Sequence, residues 1–115
     1  MGVCVWGCVM LINQERILAL RSEVGDDGFA EVVALFLEES DEVLAKLIGQ
    51  TSADVAGDVH FLRGSALTLG LDDLADWCAQ HERQDLLQQD FDTLAKLYQQ
   101  SRQAFEADVF AIVAV

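Results

Sequence analysis

The sequence has no proline and little positive charge. Proline fixes the backbone and ends helices, so its absence from 115 residues favours helices joined by short turns within one domain. Seven Lys and Arg residues stand against twenty Asp and Glu residues, which gives a formal net charge of −13. Nucleic acids select basic patches, and anionic membrane surfaces repel acidic chains. We therefore expect neither nucleic acid nor a membrane among the partners.

Cysteine is also scarce, because the sequence has only Cys4, Cys8 and Cys78. An odd number without a framework spacing argues against a disulfide scaffold, and reduced thiols in a cytoplasmic protein fit better. Cys4 and Cys8 are four residues apart, which is not a usual zinc pair, and no His or Cys cluster follows to complete four ligands. We expect a cytoplasmic protein without a metal site or a bound cofactor.

Long hydrophobic runs are absent as well, and the most apolar stretch is "MGVCVWGCVMLI", residues 1–12. It is too short to span a bilayer, and it lacks the basic region and cleavage site of a signal peptide. We treat residues 1–12 as an apolar N-terminal extension. Three interpretations stay open: packing against the rest of the chain, a dimer contact, or a start of the native sequence at Met10. A monomer is expected, with a dimer through this segment as the alternative.

From residue 13 onward, apolar residues recur at spacings of three and four, which is typical of amphipathic helices. The pattern predicts a short first helix and then four helices of roughly 15 to 25 residues each. Short connections make neighbouring helices antiparallel. We therefore predict that residues 13–115 form an all-α domain, an antiparallel up-down-up-down four-helix bundle with a short N-terminal accessory helix.

Capping residues and glycines mark the ends of these helices. Asn13 is the expected cap of the short helix, and Gly25 ends it. The later boundaries are Asp26 or Asp27 to Gly49, Thr51 or Ser52 to Gly70, a start at Asp72 or Asp73, and a start near Asp90. The positions expected to face the core are Ile17, Leu18 and Leu20; Phe29, Val32, Val33, Phe36, Val43, Leu44 and Leu47; Val55, Val59, Leu62, Ala66 and Leu69; Leu74, Ala75 and Cys78; and Phe91, Leu94, Tyr98, Phe105, Val109 and Ile112.

His60 lies on the flank of the buried stripe of its helix, where the imidazole reaches solvent. Its neighbours one turn away are Ala56, Gly57, Arg63 and Gly64, and three of these are small. A glycine inside a helix costs roughly 1 kcal/mol relative to alanine. In return, the two glycines leave the approach to the ring open to a large partner. The alternative is an ordinary surface histidine, with glycine placed where another helix packs closely.

Arg63 is a permanent cation one turn from His60, and its planar guanidinium suits phosphate geometry. An anion attached to the imidazole would find this cation within reach. The string "HFLRGSALTLG", residues 60–70, resembles the phosphorylation motif of histidine-containing phosphotransfer (HPt) domains. The motif residues are His60, Arg63, Gly64, Ser65 and Gly70. The resemblance extends over nearly the whole chain from about residue 13, and the fold of that family matches the bundle predicted above.

The resemblance implies that His60 accepts a phosphoryl group from the aspartyl phosphate of a receiver domain and passes it to another receiver aspartate. Arg63 would stabilise the phosphate, and Gly64 would leave room for the receiver. The next helix in the family often carries a Gln or Glu that bonds the second imidazole nitrogen, and Glu82 holds that position here. A solvated helix carboxylate is the alternative for Glu82. Ser65 would help the helix pack or face the rim of the site.

Docking is expected to involve the apolar and small residues around the histidine, namely Ala56, Gly57, Phe61, Gly64, Ser65 and Leu67. The expected partners are response-regulator receivers, a hybrid histidine kinase, or both. An initial Met and the lack of a linker favour a free-standing protein over a module of a hybrid kinase. His81 has no matching role in the family and is expected to be an ordinary helix residue.

The sequence has no phosphate-binding loop and no kinase signature. We therefore expect a phosphoryl carrier and not an enzyme, with the catalytic groups and the magnesium supplied by the receiver. Three other functions stay open. The first is a receiver-binding module in which His60 is not phosphorylated, the second is a hydrolase with His60 as a general base, and the third is a helical bundle without a site.

Overall fold

The computed structural model describes residues 12–114 of the chain, with side chains for residues 12–109. Four α-helices make up this part: α1 (Gln14–Ile48), α2 (Val55–Leu69), α3 (Asp72–His81) and α4 (Gln88–Ala114). No β-strand occurs between residues 12 and 114, which confirms the all-α prediction. Helix α2 packs against α1 and α3, and α4 closes the bundle by packing against the same two helices.

Helix α1 is broken at Gly25, where φ is 82° and ψ is 158°. This backbone conformation is essentially restricted to glycine, so Gly25 divides α1 into a short arm (residues 14–24) and a long arm (residues 26–48). The Asn13 side chain caps the short arm by accepting a hydrogen bond from the backbone N–H of Arg16. The short arm is the predicted accessory helix, and the long arm joins α2, α3 and α4 in the four-helix bundle.

The core contains nearly all the positions that the apolar spacing selected. Leu18 is the exception, because 49% of its surface is exposed while Ile17 and Leu20 take the buried face of the short arm. The side chain of Ile112 lies outside the described residues. Apolar spacing therefore predicted which face each of the four bundle helices buries.

Three helix boundaries differ from the predicted ones. Asp54, not Thr51 or Ser52, caps α2, and its carboxylate accepts a hydrogen bond from the backbone N–H of Gly57. Helix α4 begins slightly earlier, at Gln88. Helix α3 has only 10 residues, fewer than predicted. The polar run at residues 80–85 offers no apolar side chain to extend its buried face, so the helix stops there.

The turn between α2 and α3 is held by Gly70. Its φ of 78° is left-handed, and its carbonyl accepts a 2.7 Å hydrogen bond from the backbone N–H of Asn13. A Cβ at Gly70 would lie 2.7 Å from the Asn13 carbonyl oxygen. The Asn13 side chain also donates to Asp72 at the start of α3, over 3.1 Å. The second glycine of the motif therefore attaches the accessory helix to the bundle.

A polar cluster joins α4 to the long arm of α1. Arg102 donates to both carboxylate oxygens of Asp41, at 3.0 and 2.8 Å, and the Tyr98 hydroxyl donates to the same carboxylate. The hydrogen bonds from Arg102 lower the pKa of Asp41 below 3.8. Burial and the hydrogen bond to Asp41 raise the pKa of Tyr98 above its usual range.

Residues 1–11 lie outside the described part of the chain, so the predicted extension and its three interpretations stay predictions. Ile12, the first described residue, packs against the core. Between residues 12 and 114, no helix combines the length and the apolar character that crossing a membrane requires.

Candidate functional site

His60 stands on the solvent-facing flank of α2, with 69% of its side chain exposed. The neighbouring Val59 and Leu62 are buried and fix this helix face against the bundle. A contact with Glu82 nevertheless restrains the rotation of the ring, because Nδ1 lies 3.4 Å from Oε1 of Glu82. One nitrogen of an exposed imidazole is thus engaged by a residue of another helix.

Glu82 ends α3, where its backbone N–H bonds the carbonyl of Cys78. Only 12% of its side chain is exposed, so the carboxylate is well fixed against the bundle. Arg63 also approaches Oε1, and its guanidinium nitrogen lies 3.7 Å away. His60 and Arg63 from α2 therefore converge on a single oxygen atom of Glu82 from α3.

The contact with Glu82 selects one tautomer of the His60 ring. A carboxylate only accepts hydrogen bonds, so the contact requires the ring proton on Nδ1. In the neutral ring, Nε2 then carries the free lone pair. Because the side chain is largely exposed, a nucleophilic nitrogen is available to a partner that approaches from solvent.

Gly64 lies one turn beyond His60, and a Cβ built there would meet no atom of another helix within 4 Å. A neighbouring helix therefore does not explain this glycine, which removes the packing alternative raised by the sequence. The exposed position costs helix stability without any benefit to the internal packing. That Gly64 leaves room for a partner beside His60 stays a prediction.

Two of the predicted docking residues, Gly57 and Ser65, also have roles within the bundle. A Cβ at Gly57 would overlap the Asp54 carboxylate, so this glycine accommodates the cap of α2. Ser65 is only 5% exposed, which fits helix packing and is incompatible with a docking surface. Gly57 is itself exposed, as are Ala56, Phe61 and Leu67, and these four stay predicted docking residues.

Cys78 lies in the core, one turn before Glu82, and is a free thiol. Burial, followed by the charge of Glu82, raises the pKa of Cys78 to about 12. The thiol is therefore neutral at physiological pH and is not a nucleophile of the site. No cluster of metal-ligating side chains occurs within the described residues.

His81 is tied into its own helix. Its ring stacks on Trp77 with a centroid distance of 4.1 Å, and Nδ1 lies 2.8 Å from the Trp77 carbonyl oxygen. These contacts agree with the expectation of an ordinary helix residue. The sequence analysis missed a groove beside the site, which includes Arg83, Leu86 and Phe91. Its only sequence signal was the interruption of the apolar pattern between α3 and α4.

Comparison with known proteins agrees with this geometry. Residues 31–104 match the Hpt domain family, and this range contains His60, Arg63, Gly64 and Glu82. The phosphorelay protein LuxU of Vibrio cholerae serotype O1 is 36% identical over 67 residues, which cover 55% of this chain and 59% of LuxU. The match thus spans about six-tenths of that relative's length. No solved structure matches the chain. Because the family match extends over more than half of its length, this chain belongs to the Hpt domain family.

Proposed function

We propose that this protein is a phosphorelay intermediate. His60 accepts a phosphoryl group from the aspartyl phosphate of one receiver domain and passes it to the aspartate of another. Membership of the Hpt domain family and the similarity to a phosphorelay protein support this function. The observation that carries it is the His60 ring, which is exposed on one side and held by the Glu82 carboxylate on the other.

The transfer needs no proton to leave the site. The Nε2 lone pair attacks phosphorus, an N–P bond forms, and the O–P bond to the receiver aspartate breaks, with its electron pair remaining on the aspartate carboxylate. The ring keeps its proton on Nδ1 and gains positive charge as the bond forms. Glu82 faces that charge across 3.4 Å and stabilises it. The same steps in reverse order transfer the phosphoryl group from Nε2 to the aspartate of a second receiver.

Arg63 stabilises the transferred group. Its guanidinium has five N–H donors in a planar fork, and the contact with Glu82 engages only one edge of it. Further donors can therefore pair with phosphoryl oxygens near Nε2. Glu82 positions both residues, because the same oxygen atom faces His60 and Arg63.

The protein acts as a carrier in this proposal, and not as a kinase. Its partners are response-regulator receivers, a hybrid histidine kinase, or both, and magnesium is bound by the receiver. We place the protein in the cytoplasm as a monomer, without nucleic acid or membrane partners. The transfer depends on positioning two reactants more than on side-chain chemistry, which suits a site of three residues.

The test is transfer from radiolabelled, phosphorylated receiver domains to the wild type, to His60→Gln and to His81→Gln. His81→Gln is a matched control, because it changes the other histidine of the chain. We expect the wild type and His81→Gln to take up label that is lost in acid and stable in alkali. We expect His60→Gln to take up no label. If several receivers bind the folded protein without labelling it, a receiver-binding module that is not phosphorylated becomes the better explanation.

A further inference from the structure

An open groove of about 370 Å³ lies next to His60, between the start of α2 and the connection from α3 to α4. Val55, Leu86 and Phe91 give it apolar walls, and all three also pack with the core. Ala56 and Glu82 form the edge of the groove towards His60. The groove therefore combines apolar walls, which pack on the core, with an opening at the surface.

The groove is continuous with the proposed phosphorylation site. Glu82 lines it and also contacts the His60 ring. Ala56 lies one turn before His60, about 6 Å along the helix axis. A specific protein partner covers roughly 800 Å² of surface, a patch about 30 Å across. A receiver interface of this size that is centred on Nε2 of His60 therefore extends over this groove.

The charges at the groove indicate what the receiver presents there. Arg83 lines the groove and is exposed, and none of the ion pairs among the side chains of residues 12–109 includes it. Arg63 and Arg102, in contrast, are paired with Glu82 and Asp41. In a chain of net charge −13, a cation without a carboxylate partner is an available site for a carboxylate of another protein.

Asp85 also lines the groove, two residues after Arg83, and it likewise forms no ion pair within the described residues. Together with Glu82, which also lines the groove, it disfavours an acid that lies away from Arg83. The charges of the lining thus limit where a complementary carboxylate can lie, and a mismatched partner is disfavoured by like charges.

We propose that this groove selects the receiver. An apolar side chain of the receiver contacts Val55, Leu86 and Phe91, while a carboxylate beside that side chain pairs with Arg83. This inference rests on the proposed phosphorelay function and adds the chemistry of the partner surface. Transfer chemistry belongs to His60, Arg63 and Glu82, whereas the groove determines how tightly a given receiver binds.

Two groove variants test the proposal without removing a core contact. Arg83→Glu reverses the charge, and Gln84→Trp fills the groove from an exposed position in its lining. Arg16→Glu is the matched control, because it makes the same change of charge at an exposed residue in the first turn of α1. Arg16 lies beside Gly70, at the other end of α2, about 20 Å from the groove.

Single-turnover transfer is measured against the concentration of a phosphorylated receiver that labels the wild type. Both groove variants are expected to raise the half-saturating receiver concentration by about tenfold or more, with little change in the maximal rate, while the control matches the wild type. Labelling of His60 by phosphoramidate, a donor too small to need the groove, should be equal in all four proteins.

If both groove variants have the same half-saturating receiver concentration as the control, the groove proposal is overturned. The relay function is unaffected by that result. A fall in phosphoramidate labelling of the groove variants also overturns it, because the groove would then act on the reaction and not on docking. A wild type that takes label from phosphoramidate but from no receiver overturns the relay function and the groove proposal together. Restoration of tight binding to Arg83→Glu by an acid-to-lysine change on the receiver would identify the paired carboxylate.

Discussion

Nδ1 of His60 lies 3.4 Å from Oε1 of Glu82, a contact that joins α2 to the end of α3 across 22 positions of sequence. The contact holds the ring in one orientation and directs the unprotonated nitrogen outward. Because the carboxylate is mostly buried and the ring is mostly exposed, Glu82 can act as a fixed support for a reactive group at the surface.

Removing this support should slow transfer without unfolding the bundle. We expect Glu82→Ala to reduce the rate of labelling from a receiver by about tenfold, equivalent to ~1.4 kcal/mol. Glu82→Gln keeps an oxygen that accepts the Nδ1 proton, so it should lose less. Nitrogen-15 NMR of the imidazole should report a smaller fraction of the Nδ1-protonated tautomer in Glu82→Ala. A wild-type rate and tautomer population in Glu82→Ala would contradict the positioning role.

Arg63→Ala should slow transfer or shorten the lifetime of the phosphorylated form, because the phosphoryl oxygens lose a cation near Nε2. The bundle should stay folded, since the guanidinium is partly exposed. Arg16→Ala is the control, because Arg16 is an exposed arginine remote from the site. The measurements are the initial rate of labelling, the decay of the label and the thermal melt. An unchanged rate and an unchanged lifetime would remove Arg63 from the site.

Substitutions at Gly64 should affect stability and phosphoryl transfer in different directions. Gly64→Ala should stabilise the protein by roughly 0.5–1 kcal/mol, because alanine favours the helix and its Cβ meets no neighbour within 4 Å. Gly64→Lys should also fold, yet it should block transfer from a receiver by filling the approach to His60. Thermal melts and transfer assays on both variants test this. Normal transfer in Gly64→Lys would show that the open space does not serve docking.

Gly70→Ala should destabilise the protein by roughly 1–3 kcal/mol, because a left-handed φ strains any side chain. The new Cβ would also lie 2.7 Å from the Asn13 carbonyl oxygen, so the accessory helix would shift. Gly64→Ala is the control, because the same substitution on the surface of α2 should raise the free energy of unfolding instead of lowering it. Urea titration of both variants gives the free energies. A Gly70→Ala variant as stable as the wild type would contradict the account of this turn.

The contribution of Asp41 to the stability of the folded protein depends on pH. Hydrogen bonds from Arg102 hold its folded pKa below the unfolded value of 3.8, so folding favours the charged form. The resulting stability is present above pH 3.8 and is lost as the pH falls through the lower folded value. We expect Asp41→Asn to lower the melting temperature by a few degrees at neutral pH. This difference from the wild type should close below pH 3.8.

Thermal melts over this pH range measure the difference. Glu38→Gln is the control, because it removes an exposed carboxylate from the same arm of α1 that forms no ion pair among the described residues. Its melting temperature should follow the wild type at neutral pH. A deficit of Asp41→Asn that persists unchanged at low pH would show that the ionised carboxylate is not its cause.

Local pattern was enough for most of the fold and for part of the site. Helical periodicity fixes which side of α2 is buried, so the exposed flank position of His60 followed from the spacing of Val59 and Leu62. A helix cap such as Asn13, or a helix-ending glycine such as Gly25 or Gly70, depends on only a few neighbouring residues. These helix ends could therefore be predicted from the sequence. The bundle followed because four apolar stripes joined by short connections have few other ways to be buried.

What the pattern left open depends on residues that are distant in sequence. Gly57 lies three residues before His60 and Gly64 lies four residues after it, so both are about one turn away and the sequence does not distinguish them. Only the surrounding atoms show that one accommodates the Asp54 cap and the other faces empty space. Periodicity also could not show that Leu18 lies outside the core, because the short arm buries only a narrow face.

The meeting of His60, Arg63 and Glu82 on one oxygen atom is likewise a tertiary feature. The resemblance to a family suggested Glu82, but its burial and its double contact depend on how α3 ends against α2. The groove between Val55, Leu86 and Phe91 exists only because α3 stops early and the chain turns into α4. Sequence spacing fixes the face of each helix, whereas packing between helices sets the distances at which side chains on different helices meet.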